Sequence, residues 1–425
     1  MPSSKMWRIA SLLVIFAMLV AACGGAATEA PAPETEAPPE APPVTEAPPE
    51  TEAPPEEFVF GMLLVGPYND HGWSQAHYDA GLYVEANLPG ARMIYLDKVN
   101  PADRAGTTPD QLAEELVAQG AQLIIFNSDD MKDASTLFAQ NHPDVPVIMA
   151  SGDQLWADGA DFQDLPNMVN IMGRMEYGKM MGGCAAALTT QTGQIGYLGP
   201  LINDETRRLA ASAYLGARYC WTEILGNDAA DLAFRVTWIG FWFNIPGFTS
   251  DPTQVANDFF DSGYDVVLSG IDTTEALVEA ARRGAADEAV WAIPYDYIGA
   301  CAEAEAVCLG VPYFNWGPAY LELISAAQAG SFPSVFQWIG PDWTDINNPD
   351  TSAVGFVNGP ALSSDNAGTL GDFIVALSGG FNLWTGPINL QDGTAYLADG
   401  EVGTDQQVWY LPQLLEGMEG QSVSE

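Results

Sequence analysis

Between Phe58 and Tyr295 short apolar runs alternate with stretches of helical periodicity, and that alternation restricts the chain to parallel α/β architecture. Phe58–Gly66 reads as a buried strand by its continuous apolar run, followed by a helix over Ser74–Leu88. Strands Ala91–Val99, Ala121–Ser128, Val145–Ser151 and Met168–Gly173 follow, with helices Pro109–Gln119 and Met131–Gln140 among them. The pattern then restarts with helix Met175–Thr190. Strands Gln194–Gly199, Leu232–Ile239, Asp265–Gly270 and Val290–Tyr295 alternate with helices Asp204–Leu225, Pro252–Asp261 and Thr273–Arg283. Two successive βαβ series predict two doubly wound lobes.

Polar and aromatic clusters sit at the ends of strands in both series. They are Tyr68-Asn-Asp-His-Gly-Trp-Ser74, Asn127-Ser-Asp-Asp130, Gly270-Ile-Asp-Thr-Thr274 and Pro294-Tyr-Asp296. Ligands of doubly wound sheets bind outside the carboxyl ends of the strands. Two decorated edges facing each other predict a binding cleft between the lobes.

The segment before Phe58 reads as targeting and spacing. Lys5 and Arg8 precede an apolar run over Ile9–Val20, too short for a comfortable membrane span but suited to a signal peptide of residues 1–22. Val20-Ala-Ala-Cys23 resembles a lipobox, which predicts lipidation of Cys23 and anchorage on the outer face of the cytoplasmic membrane. Residues 23–57 then repeat the hexads Thr35–Glu40, Thr45–Glu50 and Thr51–Glu56, each reading TEAPPE. Proline stiffness, like-charge repulsion and the absence of aromatic side chains predict a solvated, disordered spacer, extending about 3.1 Å per residue.

The formal net charge is −42. Such a field repels nucleic acid, which is excluded as a partner, and disfavours a strongly anionic ligand. Besides Cys23 the chain has Cys184, Cys220, Cys301 and Cys308, an even number that permits two disulfides in an oxidising compartment. Cys301 and Cys308 flank a short acidic stretch, so 301–308 with 184–220 is the favoured pairing. With three histidines and no CxxC, no metal site and no cofactor are expected. There is no GxSxG, HExxH or P-loop, so no catalysis is expected. A nucleoside hydrolase would need an Asp-rich metal motif near the first strand, where Tyr68-Asn-Asp-His71 offers a single carboxylate.

Val65-Gly-Pro-Tyr-Asn-Asp-His-Gly-Trp-Ser74 resembles the opening of the basic membrane protein (BMP) family of substrate-binding lipoproteins. Further likenesses follow in order. They are Gly173-Arg-Met-Glu-Tyr-Gly178, Thr192–Tyr197, Trp242-Phe243, Asp265–Thr274, Ile293–Asp296, Asn315–Tyr320 and Trp384–Gly393. The resemblance spans nearly all of residues 58–420. It implies a type I periplasmic-binding-protein-like fold, two doubly wound parallel-sheet lobes joined by a multi-crossover hinge. The lobes are expected at 58–172 with 297–335, and at 173–296 with 336–420. It also implies the substrate-binding component of an ABC importer, monomeric, presenting a solute to a membrane permease. The solute class it implies is a purine nucleoside, nucleobase or similar heterocycle; a sensor passing occupancy to a membrane receptor is the alternative.

A flat, neutral heterocycle is best held between aromatic faces with a few hydrogen bonds at its edge. Trp73 from one lobe and Trp242 or Phe243 from the other are the expected clamp. Asp70, Ser74, Asn127, Asp272 and Asp296 are the expected edge groups, although Asp70, Ser74 and Asp272 also stand where helix caps would. The sequence departs from the family in the long stretch Gly240–Ser250, in the Asn127–Asp130 turn, and in lacking a lysine beyond Asp296.

Overall fold

The computed structural model describes residues 57–424; the expected signal peptide, the lipidated Cys23 and all but the end of the spacer lie outside them. The first series is β1 (Phe58–Leu63), α1 (Trp73–Asn87), β2 (Ala91–Leu96), α2 (Pro109–Ala118), β3 (Leu123–Phe126), α3 (Lys132–Asn141), β4 (Val147–Ala150) and β5 (Met168–Gly173). The second is α4 (Met175–Thr189), β6 (Gln194–Gly199), α5 (Asp204–Tyr219), β7 (Ala233–Trp238), α6 (Pro252–Asp261), β8 (Val266–Ser269), α7 (Glu275–Gly284) and β9 (Trp291–Ile293). After these come β10 (Gly310–Phe314), α8 (Gly317–Gln328), β11 (Val335–Ile339), β12 (Val354–Asn358), α9 (Ser364–Ser378), β13 (Ile388–Asn389), β14 (Ala395–Leu397), α10 (Asp405–Trp409) and β15 (Met418–Glu419).

Two sheets carry the fold. The first runs β11-β5-β4-β3-β1-β2 and the second β15-β7-β6-β8-β9, with every pairing parallel. Strands β1, β3, β4, β5 and β8 are buried at every position, as strands covered by helices on both faces must be. Helix starts are written locally. Thr108 and Gln111 form a capping box ahead of Pro109, Asn203 and Thr206 form one at α5, and Asp251 caps α6 ahead of Pro252.

The helices α4 and α5 are the tightest pair in the second lobe. A Cβ on Gly183 would overlap the carbonyl of Ala213, and one on Gly216 would overlap that of Met180. Glycine at both positions lets the backbones meet, and Cys184 is bonded to Cys220 along the same seam. The second disulfide joins Cys301 to Cys308.

Two strands follow the last crossings between the lobes. β10, within the 297–335 stretch, pairs antiparallel with β12, and isolated bridges join Cys308 just before it to Ala292 of β9 and its Tyr313 to Asp296 just after β9. β11 joins β5 and carries the first sheet on to Ile339. Backbone pairing, which period alone does not specify, decides both placements. Among the described residues no helix is long and apolar enough to cross a membrane.

Candidate functional site

In the first sheet the strand order reverses between β1 and β3, and in the second between β6 and β8. Such reversals open a crevice at the carboxyl end because the two flanking loops leave on opposite faces. The loops after β1 and β3 bring Trp73, Ser128 and Asp129 to a small cavity of about 20 Å³, and Ser151 after β4 joins them. The second lobe contributes Tyr197, Glu205, Trp242, Gly270, Asp272 and Tyr295, with Thr206 and Leu209 from α5. The two edges touch. A Cβ on Gly72 would overlap the carbonyl oxygen of Asp272, so only glycine allows this approach.

Of the residues expected from sequence, Trp73, Trp242 and Asp272 line the cavity. Trp73 donates its indole N–H to the carbonyl of Asn127 and packs edge-on against His77, Phe314 and Trp316. The indole N–H of Trp242 has no partner among the described residues. Asp272 is held beside it, its backbone N–H 2.9 Å from the carbonyl of Trp242, while its carboxyl takes part in no hydrogen bond among the described residues. Phe243 lies outside the cavity wall, edge-on to Phe241.

The remaining first-lobe groups are engaged locally. Asp70 accepts from the backbone N–H of Gly72, Ser74 and Gln75 at 2.9–3.0 Å, the role of a cap at the start of α1. The Ser74 hydroxyl accepts from Gly66 N–H at 2.9 Å, and Asn127 Oδ1 from Val65 N–H at 2.9 Å. Asp296 is fully buried behind the cavity, and neither carboxyl oxygen has a partner among the described residues. Its φ of 72° and that of Ser151, 71°, are left-handed values costly for non-glycine residues. Both strained positions stand at the carboxyl ends of sheet strands, beside the cleft.

Several residues of the site stand outside the polar clusters at strand ends. Tyr197 lies inside β6 and Glu205 in the first turn of α5, where neither reads as part of a polar cluster. Lys179 was also missed. Its Nζ donates to Ser269 O at 2.7 Å and stands 3.1 Å from the centre of the Tyr295 ring, an interaction of the cation–π kind. One signal existed: it is the single lysine in α4, a helix otherwise apolar or small over most of its length.

Burial dominates the electrostatics. It pushes Glu205 up to about 7 against the pull of Arg208 and the Ser151 hydroxyl, and pushes Lys179 down to about 7 against Asp296 and Glu205. Asp272 and Asp296 are held well above the usual carboxylate range by burial. Asp296, Asp70 and Glu205 add repulsion on Asp272, whereas Lys179 partly relieves Asp296. No Lys, Arg or His lines this cavity. Among the described residues no group of three or more His, Cys, Asp or Glu is placed to hold a metal ion.

The profile of the family "ABC transporter substrate-binding protein PnrA-like" (Bmp) matches residues 58–334. A purine-binding protein of Brucella abortus strain 2308 is 26% identical over 354 residues, which cover 81% of this chain and 88% of that protein. A Haloferax volcanii protein named for ABC transport and glucose binding is 26% identical over 277 residues, 65% of this chain and 62% of that protein. In the crystal structure of ABC transporter solute-binding proteins from Aeropyrum pernix K1, the same fold recurs with a TM-score of 0.60 and 13% identity, covering 79% of this chain and 93% of that one. The chain therefore belongs to the PnrA-like family of ABC transporter substrate-binding proteins, which capture a solute rather than transform one.

Proposed function

We propose that the protein captures a purine nucleoside or nucleobase in its inter-lobe cleft and delivers it to an ABC permease as a monomeric lipoprotein tethered through Cys23. One observation carries the ligand class: a cavity walled by the rings of Trp73, Tyr197, Trp242 and Tyr295, with the Asp272 carboxyl and Trp242 N–H free at its edge. Aromatic faces favour a flat ring, and a free acceptor beside a free donor suits the mixed edge of a purine. The purine-binding name of the Brucella relative supports the same reading.

In this reading Trp73 and Trp242 are the clamp, and Asp272 orients the ring edge. Asp296 is a buried reserve acceptor that a closing ligand reaches through Asp272 and Tyr295. Asp70, Ser74 and Asn127 hold the backbone from which Trp73 projects, and Phe243 packs behind the wall against Phe241. Closing of two lobes on the solute makes a shape that a permease distinguishes from the open one.

Thermal-shift measurements with nucleosides, nucleobases, sugars and amino acids test the assignment. A purine is expected to raise the melting temperature, by mass action on the folded state. Stabilisation by glucose or another sugar, with every purine inert, would overturn it.

A further inference from the structure

Between β7 and α6 the chain leaves the core of one lobe and enters that of the other. Ile239 packs with Val255 and Phe259 in the second lobe. Phe241 and Trp242 are buried instead in the core built around β1, β3, β4 and β5, with Phe243 and Ile245 packed against it. The contact reaches the loop after β1, where a Cβ on Gly66 would stand 3.8 Å from the Phe243 ring. The neck of this excursion is tied, since Ser250 N–H donates to the Ile239 carbonyl at 2.9 Å. Its tip is knitted to itself: Ile245 N–H donates to the Thr249 hydroxyl at 2.9 Å, and Thr249 N–H to the Ile245 carbonyl at 3.0 Å. A short loop with joined ends, held by its own side chains, is an Ω-loop.

Two features leave this strap free to shift. Gly240, at the neck, has φ 102°, and a Cβ there would meet nothing within 4 Å, so glycine serves conformation rather than space. Among the described residues no hydrogen bond joins residues 240–250 to the first lobe. Apolar contact alone seats the strap there, and such contact has no preferred direction.

The cavity beneath gives it reason to shift. At about 20 Å³ it has room for roughly one water molecule, whereas small-molecule sites measure about 300–1,000 Å³. A wall must move before a purine enters. Trp73 is held among three other rings, Tyr197 lies within β6, and Tyr295 has Lys179 against its ring. Trp242 alone is carried by a loop seated on the opposite lobe. Parting the lobes as rigid bodies would break the hydrogen bonds from Ser151 to Glu205, 2.6 Å, and from Asn203 to Asp129, 3.2 Å. Sliding the strap breaks neither.

We propose that residues 240–250 form a gate that pivots at Gly240 and draws Trp242 off the cavity, admitting the solute while those contacts between the lobes stay made. The gate rests on the purine reading only for the solute that passes it.

The test uses Phe243→Ala and Ile245→Ala in the full-length protein, because both side chains seat the strap and neither lines the cavity. Hydrogen exchange followed by mass spectrometry on ligand-free protein should show residues 240–250 exchanging roughly tenfold faster in each variant, with β5, β6 and the start of α5 unchanged. Stopped-flow mixing with adenosine and guanosine should show faster association as well as faster dissociation. Strap exchange unchanged from the parent, exchange rising equally at the start of α5, or association within about twofold of the parent would each overturn the gate. If neither nucleoside nor any free purine base binds the parent protein, the purine reading fails, and the exchange measurement still decides the gate by itself.

Discussion

The two lobes present their cleft edges in different states. On the first, Asp70, Ser74 and Asn127 Oδ1 are spent on backbone N–H groups of their own lobe, and Trp73 is wedged among His77, Phe314 and Trp316. On the second, Trp242 Nε1, Tyr295 OH and both Asp296 oxygens have no partner among the described residues. Unpaired buried polar atoms are costly, on the order of 1–3 kcal/mol each. A protein that keeps them keeps them for something. The first edge has spent its oxygen acceptors and leaves only nitrogens such as Asn127 Nδ2 and His77 Nε2 without a partner among the described residues, whereas the second leaves both donors and acceptors unpaired.

That contrast breaks most readily at Trp73. Trp73→Ala should cost about 3–5 kcal/mol of stability through lost packing, seen as a large fall in the denaturant midpoint. Trp73→Phe should recover much of that. If Trp73→Ala left stability intact while abolishing binding, the first edge would be as ligand-directed as the second. Asp272→Asn is the opposite case. It should weaken binding roughly tenfold or more and leave the ligand-free protein as stable or more so, because a buried, repelled carboxyl disappears. Calorimetry and melting together separate the two variants.

Asp70→Ala should act as loss of a helix cap, costing about 1–2 kcal/mol while solute affinity, measured on folded protein, stays within about twofold. A tenfold loss of affinity would move Asp70 into the ligand shell. The smallest effect is in pH. Burial lifts Asp70 to about 6, with the N–H groups of Gln75, Gly72 and Ser74 opposing, and lifts Glu205 to about 7. Both carboxyls keep their proton longer when folded than when unfolded. Their contribution is therefore complete below about pH 4 and lost as pH rises through 6 to 7. Melting of the ligand-free protein should be less sensitive to pH between 4 and 6 in Asp70→Asn, and between 5 and 7 in Glu205→Gln. A slope unchanged from the parent in either variant contradicts the assignment.

Much of this was legible in sequence. Continuous apolar runs such as Phe58–Leu63 and Val266–Ser269 mark buried parallel strands, and capping patterns such as Asn203 with Thr206 mark helix starts. The polar clusters at strand ends could be read as one edge of each sheet, because topology sends every such end the same way. Residue roles were less legible. Asp70 and Asp272 each follow a strand and precede a helix, so their local sequence context barely separates them. One meets three backbone N–H groups and the other meets none, a difference set by loop path. Glu205, Tyr197 and Lys179 carry no spacing signal, since they reach the site through helix and strand packing between elements far apart in the chain.

The sequence by itself determined the parallel α/β class and the polar clusters at the strand ends, because periodicity and strand-end chemistry are local properties. Tertiary structure alone decided which polar groups stay free and that Trp242 rather than Phe243 faces the cavity. Those outcomes depend on which distant backbone satisfies each donor and acceptor. That balance is struck only when the lobes close around the same buried space.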